Sequence, residues 1–286
     1  MQSNHQKKGM LLAFTGIIFI TPDSLFIRLA NTESWNLIFY RGLIPFLVVF
    51  LGLIFIYKKK LLKELINNGW RGVAYAAVFT MTNIVFVISI ENTNVANTLI
   101  MIALAPMLSA VISFVFLNEI PDKKTWVAIV ITTLSVIYIF YDSLDAGDFL
   151  GNFLGLVTAT GLAIGAVIIR SAKKISLVPS AMMGKLMVAL IALIFANEFK
   201  LENNDVLIVP LMCVMCVAIP FVLVTLAPRY ITAAEVNLFF LLETILGPLW
   251  VWIVIKEQPS FETILGGSII VATIAIHSFL ALNKKN

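Results

Sequence analysis

The sequence predicts an all-α integral membrane protein with ten transmembrane helices, arranged as two inverted five-helix repeats. Three observations predict this fold: the composition, the number of long apolar runs and a weak internal repeat. Of the 286 residues, 60% are hydrophobic and 13% are charged, whereas soluble domains have about 45–50% apolar and about 25% charged residues. The polar gaps between apolar runs, such as Lys58–Trp70, are too short to hold a water-soluble domain. The excess of apolar side chains therefore belongs in lipid.

The apolar runs have the length of membrane-spanning helices. About 20 mostly apolar residues are needed to cross a hydrocarbon layer of roughly 30 Å. Runs of that size occur ten times when single polar residues are tolerated inside them. We expect spans at Met10–Ala30, Asn36–Tyr57, Trp70–Ile90, Asn94–Leu117, Lys124–Tyr141, Phe149–Arg170, Leu177–Ala196, Val206–Pro228, Thr232–Ile255 and Phe261–Leu282.

The basic residues predict the orientation of these spans. If both termini are cytoplasmic, fifteen Lys and Arg residues fall in inner segments, whereas only Lys200 and Lys256 fall in outer loops. Cytoplasmic loops carry such an excess of positive charge. We therefore expect a multi-pass protein of the cell inner (plasma) membrane with no nucleic-acid partner. The inner residues are Lys7, Lys8, Lys58, Lys59, Lys60, Lys63, Arg71, Lys123, Lys124, Arg170, Lys173, Lys174, Arg229, Lys284 and Lys285.

An internal repeat divides the chain into residues 1–145 and 146–286, with five spans in each. Because five is odd, the second copy must enter the membrane from the opposite side. Secondary transporters use this construction to open a central site to either side in turn. A short similarity relates Ile27–Ala30 to Ile169–Ala172 at an offset of 142. The main repeat, at an offset of 138, superposes Ala96 on Ala234, Leu108 on Leu246, Glu119 on Glu257, Pro121 on Pro259 and Thr125 on Thr263.

Several short motifs resemble the EamA family of the drug/metabolite transporter superfamily. The resemblance covers nearly the whole chain and implies ten helices around a central cavity between two halves. It also implies transport of amino acids, nucleotide-related compounds, vitamins or drugs, often as export. The motifs are Thr21–Arg28, Arg41, Ala105-Pro106, Asn118-Glu119-x-Pro121, Leu242-Glu243 with Gly247–Trp250, and Lys256-Glu257-x-Pro259.

Charged residues inside the predicted spans are candidates for substrate contacts. A charged side chain at mid-bilayer costs about 2.5–3.5 kcal/mol on insertion scales, so each should face a cavity or a partner. Glu243 lies near the middle of its span, where it could bind a cation or carry a proton. Its alternative role is structural, as a neutral group or one bonded to a neighbouring helix.

Three more charged residues and two amides complete the candidate site. Asp23 follows Pro22, which leaves a backbone carbonyl open to a ligand or water; alternatively, Asp23 pairs with Arg28 or Arg41. Arg41 could itself bind a substrate carboxylate, and Lys185 could line the cavity or snorkel to the cytoplasmic interface. The amides line the cavity or bond between helices; they are Asn83 and Asn237.

Other functional classes lack their sequence signatures. The chain contains no H-E-x-x-H or G-x-S-x-G enzyme motif and no G-x-x-x-x-G-K-[ST] phosphate loop, so we expect neither an enzyme nor an ATP-driven pump. Cys213 and Cys216 have no other Cys or nearby His to complete a ligand set, so we expect no metal and no cofactor.

The sequence thus predicts a secondary transporter that works by alternating access. Charges of both signs favour a zwitterionic substrate, such as an amino acid or a related compound, and the expected direction is export. A proton is the candidate coupling ion, and the protein is expected to be a monomer or a homodimer. The alternatives are an importer or exchanger of another small metabolite, such as a vitamin, nucleoside or osmolyte, and a channel-like facilitator.

Overall fold

The chain is described by a computed structural model over residues 2–118, 123–146, 148–172, 175–197, 199–227, 230 and 233–283. The side chains of residues 2–6, 125, 140, 142–146, 233–238, 241 and 277–283 lie outside this description. Within the described ranges the backbone forms α-helices, turns and no strand. The fold is therefore all-helical over the part of the chain that can be described.

Most of the predicted spans correspond to one long helix or to two consecutive ones. A helix of 24 residues, such as α3, is about 36 Å long and suffices to cross a bilayer. The α-helices are α1 (Gln2–Ile20), α2 (Asp23–Leu29), α3 (Ser34–Tyr57), α4 (Leu61–Asn67), α5 (Gly69–Asn92), α6 (Val95–Ile102), α7 (Ala105–Leu117), α8 (Lys123–Ala146), α9 (Phe149–Ser171), α10 (Val178–Phe195), α11 (Asp205–Met212), α12 (Ile219–Leu226), α13 (Ala233–Ile255) and α14 (Phe261–Asn283).

The number of membrane crossings is only partly established. Seven segments within the described residues are long and apolar enough to cross a membrane, and three more apolar helices are shorter. The shorter ones are Trp126–Ile139, Leu242–Ile255 and Phe261–Ile276, and each lies in a predicted span. Ten crossings therefore remain a prediction, whereas an all-helical protein with several spans is confirmed.

Three spans are interrupted where proline or a wide helical turn disturbs the backbone. The first ends as α1 at Ile20 and restarts as α2 after Pro22, because proline has no N–H to continue the helix. The fourth breaks between α6 and α7, where Pro106 occupies the first turn of α7. The eighth contains a π-helix, Cys213–Ala218, between α11 and α12. Segments of this kind are frequent at functional sites.

One polar gap of the sequence is itself helical. A 3₁₀ turn at Lys58–Lys60 and the short helix α4 connect α3 to α5. Leu61 of α4 is buried in a cluster that includes Leu53. The Asn68 side chain then donates hydrogen bonds to the backbone oxygen of Ser176 at 3.1 Å and to Ser180 Oγ at 2.8 Å. This connection is therefore fixed to the start of α10.

The helices pack in a regular set of pairs. Helix α3 packs against α10, α6 against α13, and α8 against α14. Helix α5 packs against α9 and α10, while α12 packs against α1 and the π-helix packs against α3. Helix α6 also contacts α9, and α13 contacts both α1 and α2. Helices from the first half of the sequence thus pack mainly against helices from the second half.

Candidate functional site

A cavity of about 470 Å³ lies inside the helical bundle. Small-molecule sites usually have about 300–1,000 Å³, so there is room for a small ligand. The walls come from α1 to α3, α5 to α7, α9, α10, the π-helix, α12 and α13. The side chain of Asn237 lies outside the described residues. The cavity brings together the other candidate residues from the sequence: Asp23, Arg41, Asn83, Lys185 and Glu243.

Arg41 and Asp23 form a two-point ion pair at the cavity wall. The Arg41 Nη1 atom lies 2.6 Å from Asp23 Oδ1, and Nη2 lies 2.7 Å from Oδ2. The two residues are only 5% and 4% exposed. Asp23 reaches Arg41 from the first turn of α2, directly after the helix break at Pro22. The two charges therefore compensate each other, as one of the sequence alternatives proposed.

Lys185 is fully buried, with 0% of its surface exposed. Its ammonium group donates a hydrogen bond to Asn83 Oδ1 and lies 5.3 Å from the centre of the Phe79 ring. The Asn83 amide is itself oriented by a 2.7 Å bond from Nδ2 to the Phe79 carbonyl. Among the described side chains no carboxylate lies within ion-pair distance of Lys185. Lys185 thus places an amino group without a carboxylate partner among the described side chains in the cavity, and it does not snorkel to the surface.

Glu243 supplies a carboxyl group from α13. It is 7% exposed, and in the described part of the chain its carboxylate has no hydrogen-bond or ion-pair partner. The charged groups that act on it are Asp23 and Arg41, which already bind each other. The carboxyl group of Glu243 is therefore available to a ligand or to a proton.

Aromatic rings form much of the remaining wall. The Phe79 ring lies 5.7 Å from the Tyr75 ring on the same helix and 5.9 Å from the Phe221 ring of α12, measured between centroids. Phe86 and Phe240 also line the cavity. The space around the charged groups is thus largely apolar.

The two ends of the bundle differ in their relation to the cavity. We call the end that contains Asn68 and Ser176 the Asn68 end, and the opposite one the Arg28 end. The cavity lining extends to Arg170 at the end of α9 and to Tyr230 after α12, and both lie towards the Asn68 end. The cavity therefore runs from the middle of the bundle to this end.

The Arg28 end is closed by contacts between helix ends. Arg28 donates a 2.7 Å hydrogen bond to the Thr93 carbonyl, and its Nε lies 3.2 Å from Glu257 Oε2. Glu257 also accepts a 2.7 Å bond from the backbone N–H of Val95, the first residue of α6. None of these four described residues lines the cavity. They separate the cavity from the Arg28 end.

Comparison with known proteins identifies the family. The sequence matches the model of the EamA-like transporter family twice, over residues 7–141 and 149–279. The chain belongs to this family. None of the curated proteins matches the sequence of this EamA protein. Sixteen chains of solved structures match it. One of them, from a crystal structure, has a TM-score of 0.69 and 13% identity, and the match covers 96% of this chain and 99% of that one. At such an identity the likeness shows the fold alone.

The family match confirms the resemblance found in the motifs. EamA proteins are membrane transporters of the drug/metabolite superfamily, so this chain is a multi-pass membrane transporter. The two matched blocks also fit a fold built from two repeats. The cavity described above is thus the candidate substrate site of an EamA transporter.

Sequence reasoning missed the aromatic part of this EamA site. Phe79, Asn83 and Phe86 follow one another at spacings of four and three residues, which places them on one face of a helix. That spacing was a usable signal, because a polar Asn on the same stripe indicates a face turned away from lipid. Cys216 also lines the cavity; its CxxC spacing was considered only as a metal site, and because that interpretation was rejected, Cys216 was not a candidate for the cavity.

Proposed function

We propose that this EamA protein is a secondary transporter that carries a small zwitterionic metabolite, such as an amino acid or a related compound, by alternating access. The observation that carries the proposal is that a lysine amino group and a glutamate carboxyl group line one cavity. Lys185 and Glu243 have no charged partner among the described side chains, whereas Asp23 and Arg41 are already paired.

The charges of the cavity match those of a zwitterion. A buried charge without a counter-charge is costly in the membrane, so its retention indicates a function. The ammonium group of a zwitterion would bind Glu243, and its carboxylate would bind Lys185. With the substrate bound, each charge of the site faces an opposite one. Charge-assisted hydrogen bonds of this kind are among the strong ones in proteins.

The apolar walls favour a substrate with an apolar remainder. Phe79, Phe86 and Phe221 surround the space between the charged groups, and apolar surface that contacts them is removed from water at a gain of about 25 cal/mol per Å². A highly polar osmolyte or a sugar would leave its hydroxyl groups without partners there. We therefore favour an amino acid or a similar amphiphilic compound over these alternatives.

The packing of the helices supports two inverted repeats, residues 1–145 and 146–286. If the repeats are related by a two-fold axis in the membrane plane, the pair α5 with α9 corresponds to α12 with α1. Likewise α5 with α10 corresponds to the π-helix with α3, and α6 with α9 corresponds to α13 with α1 and α2. Each of these contacts has its counterpart. Such symmetry allows two states with the cavity open to opposite sides.

The distribution of positive charge supports an inner-membrane location with both termini in the cytoplasm. In that orientation the Asn68 end is cytoplasmic, so in this state the cavity can exchange substrate with the cytoplasm, as a step of export requires. We propose export, the expected direction from the family resemblance, with a proton bound at Glu243 as the coupling ion. A monomer or a homodimer would be compatible with this mechanism.

Counterflow in proteoliposomes tests the proposed function. Purified protein is first screened with amino acids, vitamins, nucleosides and osmolytes for compounds that raise its melting temperature, because a ligand that binds only the folded state stabilises it. Vesicles loaded with such a compound should then accumulate its labelled form, and uptake should saturate. Uptake without stimulation by the internal compound would instead indicate a channel-like facilitator.

The variant Glu243→Gln tests the assignment of the site. Gln has nearly the same shape but cannot carry the negative charge or the proton. We expect counterflow to be lost or strongly reduced while the melting temperature of the protein without ligand stays at or above that of the wild type. Wild-type counterflow rates in this variant would remove Glu243 from the mechanism.

A further inference from the structure

The connection between α3 and α5 has a dense cluster of positive charge. Lys58, Lys59, Lys60 and Lys63 lie within six residues, and all four side chains are exposed. None of them forms an ion pair with a described side chain. Glu64 is the acidic residue of the same segment, and it is half-buried. The cluster therefore offers its positive charge to a partner outside the protein.

An apolar surface lies directly beside these lysines. Ile54 and Phe55, in the last two turns of α3, are 39% and 80% exposed. On the other side of the lysines, Leu62 and Ile66 are each 69% exposed, and their spacing of four residues places them on one face of α4. Trp70, at the start of α5, is 74% exposed. The opposite face of α4 is attached to the protein. Helix α4 thus has the character of an amphipathic helix in the membrane interface.

The positive and apolar groups meet in one cleft. Ile54, Phe55, Lys58 and Lys59 line a shallow cleft of about 510 Å³ that is open on most of its sides. The apolar pair belongs to a membrane-spanning helix, so it faces acyl chains, while the two lysines follow at the level where lipid headgroups begin. A soluble anion would use the lysines but not Phe55. A neutral lipid would use the apolar pair but gain nothing from the lysines.

We propose that this cleft binds an anionic phospholipid. Its phosphate contacts Lys58 and Lys59, its acyl chains cover Ile54 and Phe55, and Lys60 and Lys63 add to the local positive potential. Clusters of four to eight basic residues next to a membrane helix attract anionic lipids, and the cleft gives this attraction a defined position. The site is separate from the central cavity, so the proposal does not depend on the transported substrate.

Lipid binding by the purified full chain tests the proposal. Delipidated protein in detergent is titrated with phosphatidylglycerol, with phosphatidylcholine of the same acyl chains, and with inorganic phosphate. Binding is followed by native mass spectrometry and by the melting temperature. We expect phosphatidylglycerol to bind with about tenfold or higher affinity than phosphatidylcholine, and inorganic phosphate alone to leave the melting temperature unchanged. A stabilisation by phosphate equal to that by phosphatidylglycerol would overturn the lipid assignment.

Two sets of variants distinguish the cleft from general surface charge. The double variant Lys58→Gln/Lys59→Gln should lose the preference for phosphatidylglycerol, and Phe55→Ser should weaken binding of both lipids. The matched control Lys200→Gln/Lys256→Gln removes the same charge from exposed positions outside the cleft and should bind like the wild type. Equal loss in the control variant, or no loss in the cleft variants, would show that the cleft is not the site.

Discussion

Arg41 and Asp23 show how a charged pair can be held inside a membrane protein. Their guanidinium and carboxylate groups face each other through two short contacts, and both are shielded from solvent. Removing one residue of a buried ion pair leaves the charge of the other uncompensated, which lowers the stability of a protein by about 3–5 kcal/mol. Replacing both residues by apolar ones often leaves the stability unchanged. The stability of the protein should therefore depend on the two residues jointly.

A double-mutant cycle checks this dependence. We expect Arg41→Met alone to lower the free energy of unfolding by about 3–5 kcal/mol, and the double variant Arg41→Met/Asp23→Leu to lose much less than the sum of the single losses. Unfolding in mixed detergent micelles, followed by circular dichroism, provides the measurement. Additive losses would mean that the two residues do not act as a pair.

Replacing Lys185 should not lower the stability of the protein as replacing Arg41 does, because no carboxylate among the described side chains pairs with it. The variant Lys185→Met keeps a long unbranched side chain and removes the buried charge. We expect its melting temperature to stay equal or rise, since the ammonium no longer has to be desolvated. Affinity for the zwitterionic substrate should fall about tenfold or more, because a hydrogen bond to a charged group is lost.

Ligand titrations followed by the melting temperature separate these two effects. Lys185→Arg serves as the control that keeps the charge. If Lys185→Met unfolds readily and binds the substrate like the wild type, Lys185 has a structural role only.

Individual site residues could be predicted from the sequence only as far as their charge made them conspicuous. Asp23, Arg41, Lys185 and Glu243 were found because charges are costly in apolar spans. Which of them pair could not be found, since pairing depends on the rotation and depth of four different helices. Lys185 illustrates the limit: its distance from the end of the span allowed snorkelling, but packing of α10 against α3 and α5 encloses it.

The contact between α3 and α10 depends on one glycine. A Cβ atom at Gly42 would lie 2.5 Å from the backbone nitrogen of Ala189 and 2.8 Å from the carbonyl oxygen of Lys185. A Cβ atom cannot approach other heavy atoms so closely without a clash, so α10 would have to move away. At Gly52, ten residues further along the same helix, a Cβ atom would meet nothing within 4 Å. The two glycines therefore form a matched pair for testing close helix packing.

We expect Gly42→Ala to destabilise the protein by about 1–3 kcal/mol, as overpacking does. It should also weaken substrate binding, because α10 carries Lys185. Gly52→Ala should be neutral or stabilising by up to about 1 kcal/mol, since alanine favours helix more than glycine does. Unfolding free energies of both variants in the same detergent make the comparison. A similar small effect at both positions would contradict the close approach at Gly42.

The sequence predicted the long helices well and their interruptions poorly. Hydropathy depends on composition along a window, so it located the spans but could not detect the π-helix at 213–218, which contains only apolar residues. Pro22 and Pro106 were visible in the sequence, yet Pro248 lies inside the continuous helix α13. Proline alone therefore does not determine whether a membrane helix breaks, because neighbouring helices can satisfy the freed backbone groups.

The whole protein is asymmetric along the membrane normal. At the Arg28 end, helix ends and loops of the two proposed halves bind each other: Arg28 contacts Glu257, and Asp205 accepts hydrogen bonds from the Asn31 backbone at 3.1 and 3.2 Å. At the other end, the cavity reaches Arg170 and Tyr230. The sequence repeat located Glu257 through the Glu-x-Pro motif, but which end is closed depends on the state of the protein and has no signature in the sequence.

Alternating access requires the contacts at the Arg28 end to separate during each cycle. Asn94 Nδ2 lies 3.2 Å from the carbonyl oxygen of Gln258, so cysteines introduced at these two positions can be joined by a short bis-methanethiosulfonate reagent. Cys213 and Cys216 are replaced by alanine first, and this background must itself perform counterflow. We expect cross-linked protein to bind substrate in detergent but to lose counterflow, and a reducing agent to restore it.

A monofunctional methanethiosulfonate is the control, because it modifies both cysteines without joining them. Undiminished counterflow in fully cross-linked protein would show that substrate crosses without the Arg28 end opening, and alternating access would have to be abandoned.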